Sequence, residues 1–340
     1  MSRSRTLVLA ITALFGTLAA ESPPPQHFVF FGFERDRIRE ASFLETPAIA
    51  GAQLKYTWRE LEPERGRYAF ERLRSDLAFL ERHSKRLLVQ LQDISFDERI
   101  VNVPAYLLDD PAFGGGVARK YRFEGDDEST ATPDGWAARR WDPAVRHRFI
   151  ELLRALGREL DGRIEGINLP ETAIDFGVSG ALHPDGFTYA GYAESVKTVM
   201  TAARESFPTS RVIQYANFMP GEWLPWDDRG YLRSVYGHAD SIGVGVGGPD
   251  LLPHRAGQRN HSYPLIASRG LRTVAGVAVQ DGNLDEQDPA TGERVTVEEL
   301  ARFAEEELRL DYVFWATEEP YYSNEILPYL RGLTPRPRQE

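Results

Sequence analysis

The sequence predicts an α/β chain folded as one (β/α)8 TIM barrel, and three observations carry that expectation. Strand-like and helix-like stretches alternate from end to end, the pattern of parallel α/β architecture. Eight strand-like runs fit into about 300 residues, which is the arithmetic of a barrel with a helix after each strand. An open doubly wound sheet is the competitor, but no Gly-rich phosphate loop follows the first run, which counts against its nucleotide-binding versions.

Taken in order, the strands are expected at Phe28 to Phe33, Gly51 to Tyr56, Arg86 to Leu91, Ile164 to Leu169, Val212 to Asn217, Ser241 to Val246, Thr273 to Gln280 and Tyr312 to Ala316. Between them lie apolar residues at helical spacing, such as Leu73, Leu77 and Leu80, or Phe149, Leu152, Leu153 and Leu156 behind the start signal Asp142-Pro143. Further helices are expected from Tyr189 to Glu205 and from Thr296 to Leu308, the latter with Glu298 and Glu299 in a first turn where the helix dipole favours negative charge. One long irregular stretch runs from about Asp93 to Trp141 and contains Gly114, Gly115 and Gly116. Following the third strand, it belongs on the active rim of a barrel as a lid or cleft wall. No repeat or linker divides residues 26–333, and residues 334–340 read as a disordered tail.

At the N-terminus, Arg3 and Arg5 precede an apolar run from about Leu7 to Leu18, then Ala19 and Ala20, then polar Glu21 and a run of prolines. This order fits a secretory signal peptide over residues 1–20, since the run is too short to span a bilayer stably. An exported, periplasmic or extracellular protein is expected, with no stable membrane insertion once the leader is cleaved. The chain has no cysteine, which excludes disulfides, thiolate metal sites and a cysteine nucleophile. At this length a core can be large enough without cross-links. The formal charge is −11, and removing Arg3 and Arg5 leaves 38 basic against 51 acidic residues, a balance of −13. No basic run is dense enough to displace counterions from a polyanion, so nucleic acid is not an expected partner.

Chemistry in such a barrel collects just past the C-terminal ends of the strands. The rim so defined holds Tyr56 with Trp58 and Glu60, Gln92 with Asp93, Asn168 and Glu171, Asn217 with Glu222 and Trp223, Asp250, Gln280 with Asp281 and Asn283, and Trp315 with Glu318 and Glu319. Carboxylates, amides and indoles together suit a polyhydroxylated substrate, because the polar groups bond hydroxyls while indole faces cover the C–H faces of sugar rings. Glu171 is the sharpest of them. It follows Ile164, Ile167 and Leu169, so a carboxylate arrives at a strand end among apolar neighbours that raise its pKa toward the range of a general acid. The bland alternative is a helix N-terminal carboxylate satisfied by backbone N–H groups.

The segment from Gln53 to Phe70 contains Trp58-x-x-Leu61-Glu62-Pro63-x-x-Gly66-x-Tyr68-x-Phe70. It resembles an early-barrel signature of β-galactosidase-like and related glycoside hydrolases, with weaker resemblance over the rest of the barrel. The resemblance implies a TIM barrel with two catalytic glutamates, an acid/base ending the fourth strand, usually after asparagine, and a nucleophile ending the seventh. Glu171 matches the first in strand order, although Pro170 precedes it and Asn168 lies three residues earlier. The seventh strand ends instead in Gln280-Asp281, and an amide cannot be a nucleophile. Asp281 and then Glu319, with Glu318 beside it, are the candidates for the second carboxylate, while the adjacent pair also reads as a solvated helix entry. Trp315 resembles the tryptophan that floors the sugar site in these hydrolases, and otherwise reads as an interlayer aromatic. Glu62 and Glu64 are expected to hold the turn around Pro63 and Gly66.

Trp223 and Trp226, in a Pro/Gly-restricted loop, suit either a stacking wall or a packed plug. Gly243, Gly245, Gly247 and Gly248 strip one face of the sixth strand, so a helix packs closely outside or a ligand approaches inside. His254 and His261 have no convincing third ligand, so surface or hydrogen-bonding roles are expected rather than a metal site. The function expected is an exported glycoside hydrolase acting on a poly- or oligosaccharide through carboxylate acid/base catalysis, without metal or cofactor. A non-catalytic carbohydrate-binding or polysaccharide-assembly protein on a degenerate barrel is the alternative, kept alive by Gln280.

Overall fold

Among the described residues, ten strands occur in chain order: β1 (Gln26–Gly32), β2 (Ile49–Thr57), β3 (Arg86–Gln92), β4 (Val117–Glu124), β5 (Asp127–Ala138), β6 (Gly166–Leu169), β7 (Arg211–Tyr215), β8 (Gly245–Gly248), β9 (Ala275–Val279) and β10 (Tyr312–Ala316). This computed structural model describes residues 23–125, 127–270 and 272–334; the expected leader and all but the first residue of the expected tail lie outside them. Eight of the strands close in the order β1-β10-β9-β8-β7-β6-β3-β2, every neighbour parallel, while β4 and β5 form a separate antiparallel hairpin. The chain is therefore a (β/α)8 barrel, as its alternating pattern predicts.

Seven of the eight barrel strands overlap their expected spans closely, and the sixth is displaced. Ser241 and Ile242 finish the helix Tyr231–Ile242, and Gly243 caps it in the left-handed region at φ 69°, so the strand begins only at Gly245. A Cβ on Gly247 would lie 1.9 Å from the carbonyl oxygen of Gly276 in β9, and one on Gly245 would lie 2.6 Å from the Val274 side chain. The glycine run thus admits close approach of strand nine's backbone and neighbouring side chains, not an outer helix.

Two apolar layers result from the alternation of side chains along each strand. Phe28, Phe30, Leu88, Ile213, Tyr215, Ala278, Tyr312, Phe314 and Ala316 form a cluster built from strand residues alone, which is the barrel interior. The other cluster joins the opposite strand faces to the helices. Among these helices, Pro143–Leu160 is capped by Asp142, whose carboxylate accepts from Ala144 N and Val145 N. Tyr189–Ser206 is capped by Thr188, and Val297–Arg302 by a reciprocal box between Thr296 and Glu299.

The long stretch after β3, expected to be irregular, is ordered into a short helix, Ala105–Asp109, and the β4–β5 hairpin. Polar and glycine-rich composition hid the hairpin because its strands are half exposed and carry no clean alternation. Its base is tied to the strand end through Ser95 N to Trp136 O and Ala138 N to Asp93 O. Farther along, Tyr121 N donates to Asp175 O, and Glu128 accepts from the backbone N–H of Val178 and Ser179, on the loop that follows β6. The hairpin is a wall across the C-terminal mouth.

Candidate active site

Glu171 lies two residues beyond β6, on a segment fixed from several sides. Gln214 donates to Pro170 O at 2.7 Å, Arg140 to Glu171 O at 3.3 Å, Tyr192 to Thr172 O at 3.1 Å, and Thr172 Oγ1 to Phe218 O at 2.6 Å. Its carboxylate accepts from Asn217 Nδ2 at 3.0 Å and opens no helix, so the capping alternative does not apply. Burial pushes the Glu171 carboxyl up to about 7, with the Asp250 carboxylate adding to the rise; the Asn217 bond and the cations Lys120 and Lys55 oppose it. Glu171 as a whole residue is only half-buried. A carboxyl that holds its proton near neutrality just past a barrel strand is suited to general acid chemistry.

Asp250, just past β8, is the carboxylate electrostatically closest to this one in effect. Asn283 donates to it at 3.1 Å, while burial raises its pKa. Asp250 and Asp281 line a cleft of about 560 Å³ together with Phe218, Trp223, Arg255 and Gln258. Asp281 is exposed and acts on Lys55, whose ammonium lies 4.9 Å from the Phe30 ring centre. Trp223 is 52% exposed and stacks on Phe218 at 5.6 Å with 6° between the rings. His261 packs against Trp223 and accepts from Leu224 N at 2.9 Å, so its proton resides on Nδ1 facing Gly257 O. That histidine is a hydrogen-bonding brace for the loop. His254 is exposed, its backbone N–H donating to Glu286.

Below Glu171, the barrel axis is polar. Asn168 is fully buried, and Gln53 donates to the Tyr215 hydroxyl at 2.9 Å. Strand alternation from Leu88 directs Gln90 and Gln92 inward, and from Ala278 it directs Gln280 inward. Gln92, Asn217 and Gln280 are therefore brought to the same axial site as Glu171, with Asn168 one step beneath it.

Other expected site residues are placed elsewhere. Tyr56 is buried on the outer face of β2, its hydroxyl donating to Asp76 at 2.9 Å. Trp58 is buried too, donating from Nε1 to Glu62 at 2.9 Å and packing edge-on to Phe149. Glu62 in turn accepts from Gly66 N at 2.8 Å and pairs with Arg148, so the signature segment builds a folded corner, as expected for Glu62. Glu64, exposed, pairs with Arg67 at 3.0 Å across the same turn. Asp93 is buried against Arg140 at 3.1 Å. Trp315 is fully buried on the outer face of β10 and donates to His27 Nδ1 at 3.1 Å, which makes it an interlayer aromatic and not the floor of a sugar site. Glu319 accepts from Ser323 N and Ser323 Oγ, and Glu318 accepts from Gly282 N at 2.7 Å. The Glu319 carboxylate is thus engaged at a helix entry, the bland reading of the adjacent pair.

Lys55, Lys120, Arg140 and Phe218 escaped sequence reasoning as site residues, and Asp250 was only a rim position. A signal for Lys55 existed: Gln53 and Lys55 share one strand face, opposite to Tyr56. A larger cavity, about 920 Å³, opens at the opposite end of the barrel. Arg86 and Tyr312 there both pair with Glu165.

Fold and mouth together define a (β/α)8 barrel with a carboxylate-bearing C-terminal rim. Among solved structures, the chain is similar to a β-galactosidase from Rahnella sp. R3, with a TM-score of 0.50 and 12% identity over 87% of this chain and 51% of that one. The chain spans about half the length of that protein, and the likeness is one of fold, a (β/α)8 barrel. No family model matches the sequence, and no curated protein matches it.

Proposed function

We propose that the protein is a glycoside hydrolase acting on an oligo- or polysaccharide, with Glu171 protonating the leaving oxygen. The observation that carries this reading is the Glu171 carboxyl, pushed up to about 7 by burial while held by Asn217 at the barrel mouth. A second carboxylate must attack the anomeric carbon or activate water. Asp250 is favoured for that role because it is enclosed in the cleft and acts on Glu171, and Asp281 is the competitor on the same cleft wall. Export remains part of the proposal through the basic-apolar-small order of residues 1–20; mature protein confined to the cytoplasm on fractionation overturns it.

A non-catalytic glycan-binding barrel is the second reading. It is favoured by Gln280, which occupies the inward position at the end of the seventh barrel strand where the resembled hydrolases place a glutamate. Purified protein screened on α- and β-linked glucans, galactans and bacterial exopolysaccharides separates the two, with reducing ends scored for wild type, Glu171→Gln, Asp250→Asn and Asp281→Asn. Release by wild type, lost by orders of magnitude in Glu171→Gln, supports hydrolysis. Saturable binding without release by any of them supports the binding protein.

A further inference from the structure

Lys55 stands out among the cations of the mouth. Lys120 is neutralised by Asp134 at 3.4 Å, and Arg140 by Asp93 at 3.1 Å. Lys55 forms no ion pair and donates no side-chain hydrogen bond among the described residues. Its ammonium lies 4.9 Å from the ring centre of Phe30 and 5.7 Å from that of Phe33, itself 53% exposed. Glu171 and Asp281 attract it without closing to contact. An ammonium mostly withdrawn from water and given only ring faces lacks the partner that ordinarily compensates burial.

We propose that Lys55 receives an anionic substituent of the glycan, a uronate carboxylate or a sulfate ester, so that the barrel takes acidic rather than neutral sugars. Three other features fit such a ligand. Arg255 lines the cleft with Asp281, the carboxylate that also acts on Lys55; it is exposed and forms no ion pair among the described residues. The rings of Phe30 and Phe33 flank the ammonium without supplying a counter-charge, so an anion can still pair with it. Among the described residues, the exposed large hydrophobics Phe33, Phe96, Ile100, Val178, Trp223 and Trp226 all follow C-terminal ends of barrel strands, which puts apolar surface on the same end of the barrel for the C–H faces of neighbouring sugars. An acidic chain with a cationic centre in its mouth attracts such a ligand locally, against its own net charge of −11.

The proposal rests on the carbohydrate reading above but fails separately from it. Titration calorimetry on the full chain at low ionic strength would compare galacturonate oligomers, glucuronate-containing oligomers and a sulfated galactan with carboxyl-reduced or desulfated oligomers of the same length. Wild type is expected to bind at least one anionic series about tenfold or more tightly than its neutral counterpart. Lys55→Gln is expected to abolish that ratio and Lys55→Arg to retain it, with folding of both checked by thermal unfolding. A preference confined to uronates or to the sulfated glycan assigns the anion. Equal affinity for charged and neutral oligomers, or a preference that survives Lys55→Gln, overturns the assignment while glycan binding stands; absence of binding to every oligomer overturns both.

Discussion

Asn217 donates from its side-chain amide to Oε2 of Glu171 at 3.0 Å, so the hydrogen bond favouring the charged carboxylate opposes the burial that disfavours it. Burial wins, and the carboxyl stands at about 7. An acid in this role works while protonated, so turnover should decline as pH rises through about 7. Asn217→Ala removes the bond to the charged form and should move that decline upward by roughly one pH unit. A pH profile of kcat/KM for the two proteins checks it. A decline unmoved by the substitution would assign the titration to another group.

Glu171 should also cost the fold stability. Its carboxyl titrates near 4.5 ordinarily and at about 7 in the folded chain, so between those values the folded state binds more proton than the unfolded one. Stability contributed by the protonated group is full below 4.5 and is lost as pH rises through 7. Glu171→Gln removes the ionisation, and should exceed wild type at pH 8 by up to about 3 kcal/mol, with the gap shrinking toward pH 5. Denaturant unfolding at both pH values measures the difference; a constant gap would mean that Glu171 titrates normally.

The ion pair of Asp93 and Arg140 joins the end of β3 to the base of the hairpin, and Arg140 reaches on to the backbone of Glu171. Both side chains are buried, so removing one leaves an uncompensated charge. Arg140→Met should cost about 3–5 kcal/mol, whereas Asp93→Leu combined with Arg140→Met should cost less than the sum of the single changes. Thermal unfolding of the three variants tests this. Additive losses would show that the two charges do not compensate each other.

The sequence made the barrel legible because eight apolar runs of strand length recur with helices between them, and cap residues such as Asp142 and Thr296 mark helix starts locally. The site was legible only where strand parity was respected. Asn217 and Gln280 lie two residues beyond the inward Tyr215 and Ala278, and Asn168 two beyond Gly166, the partner of inward Leu88, so all three reach the axis. Tyr56, Asp93 and Trp315 are each one residue out of phase with an inward position, so they face the helices, and Lys55 between Leu54 and Tyr56 faces the mouth in their place. The sixth strand and the hairpin were less legible. Gly243 ends a helix where composition suggested a strand, and the hairpin is held by distant partners such as Glu128 with Val178 and Ser179, pairings that no local pattern announces.

Trp223 offers a rigid aromatic face to the cleft. Phe218 stacks on it at 5.6 Å, and His261 fixes its loop through Leu224 N at 2.9 Å, so little ordering is needed when a ligand covers the exposed indole. Trp223→Ala should therefore weaken glycan binding by about 1 kcal/mol, roughly fivefold in Kd. Stability should change by no more than about 1 kcal/mol, because half of the side chain is already in solvent. Calorimetric titration with the best-bound oligomer, alongside denaturant unfolding, separates these effects. Unchanged affinity would place the sugar on the hairpin side of the mouth, away from the Trp223 wall.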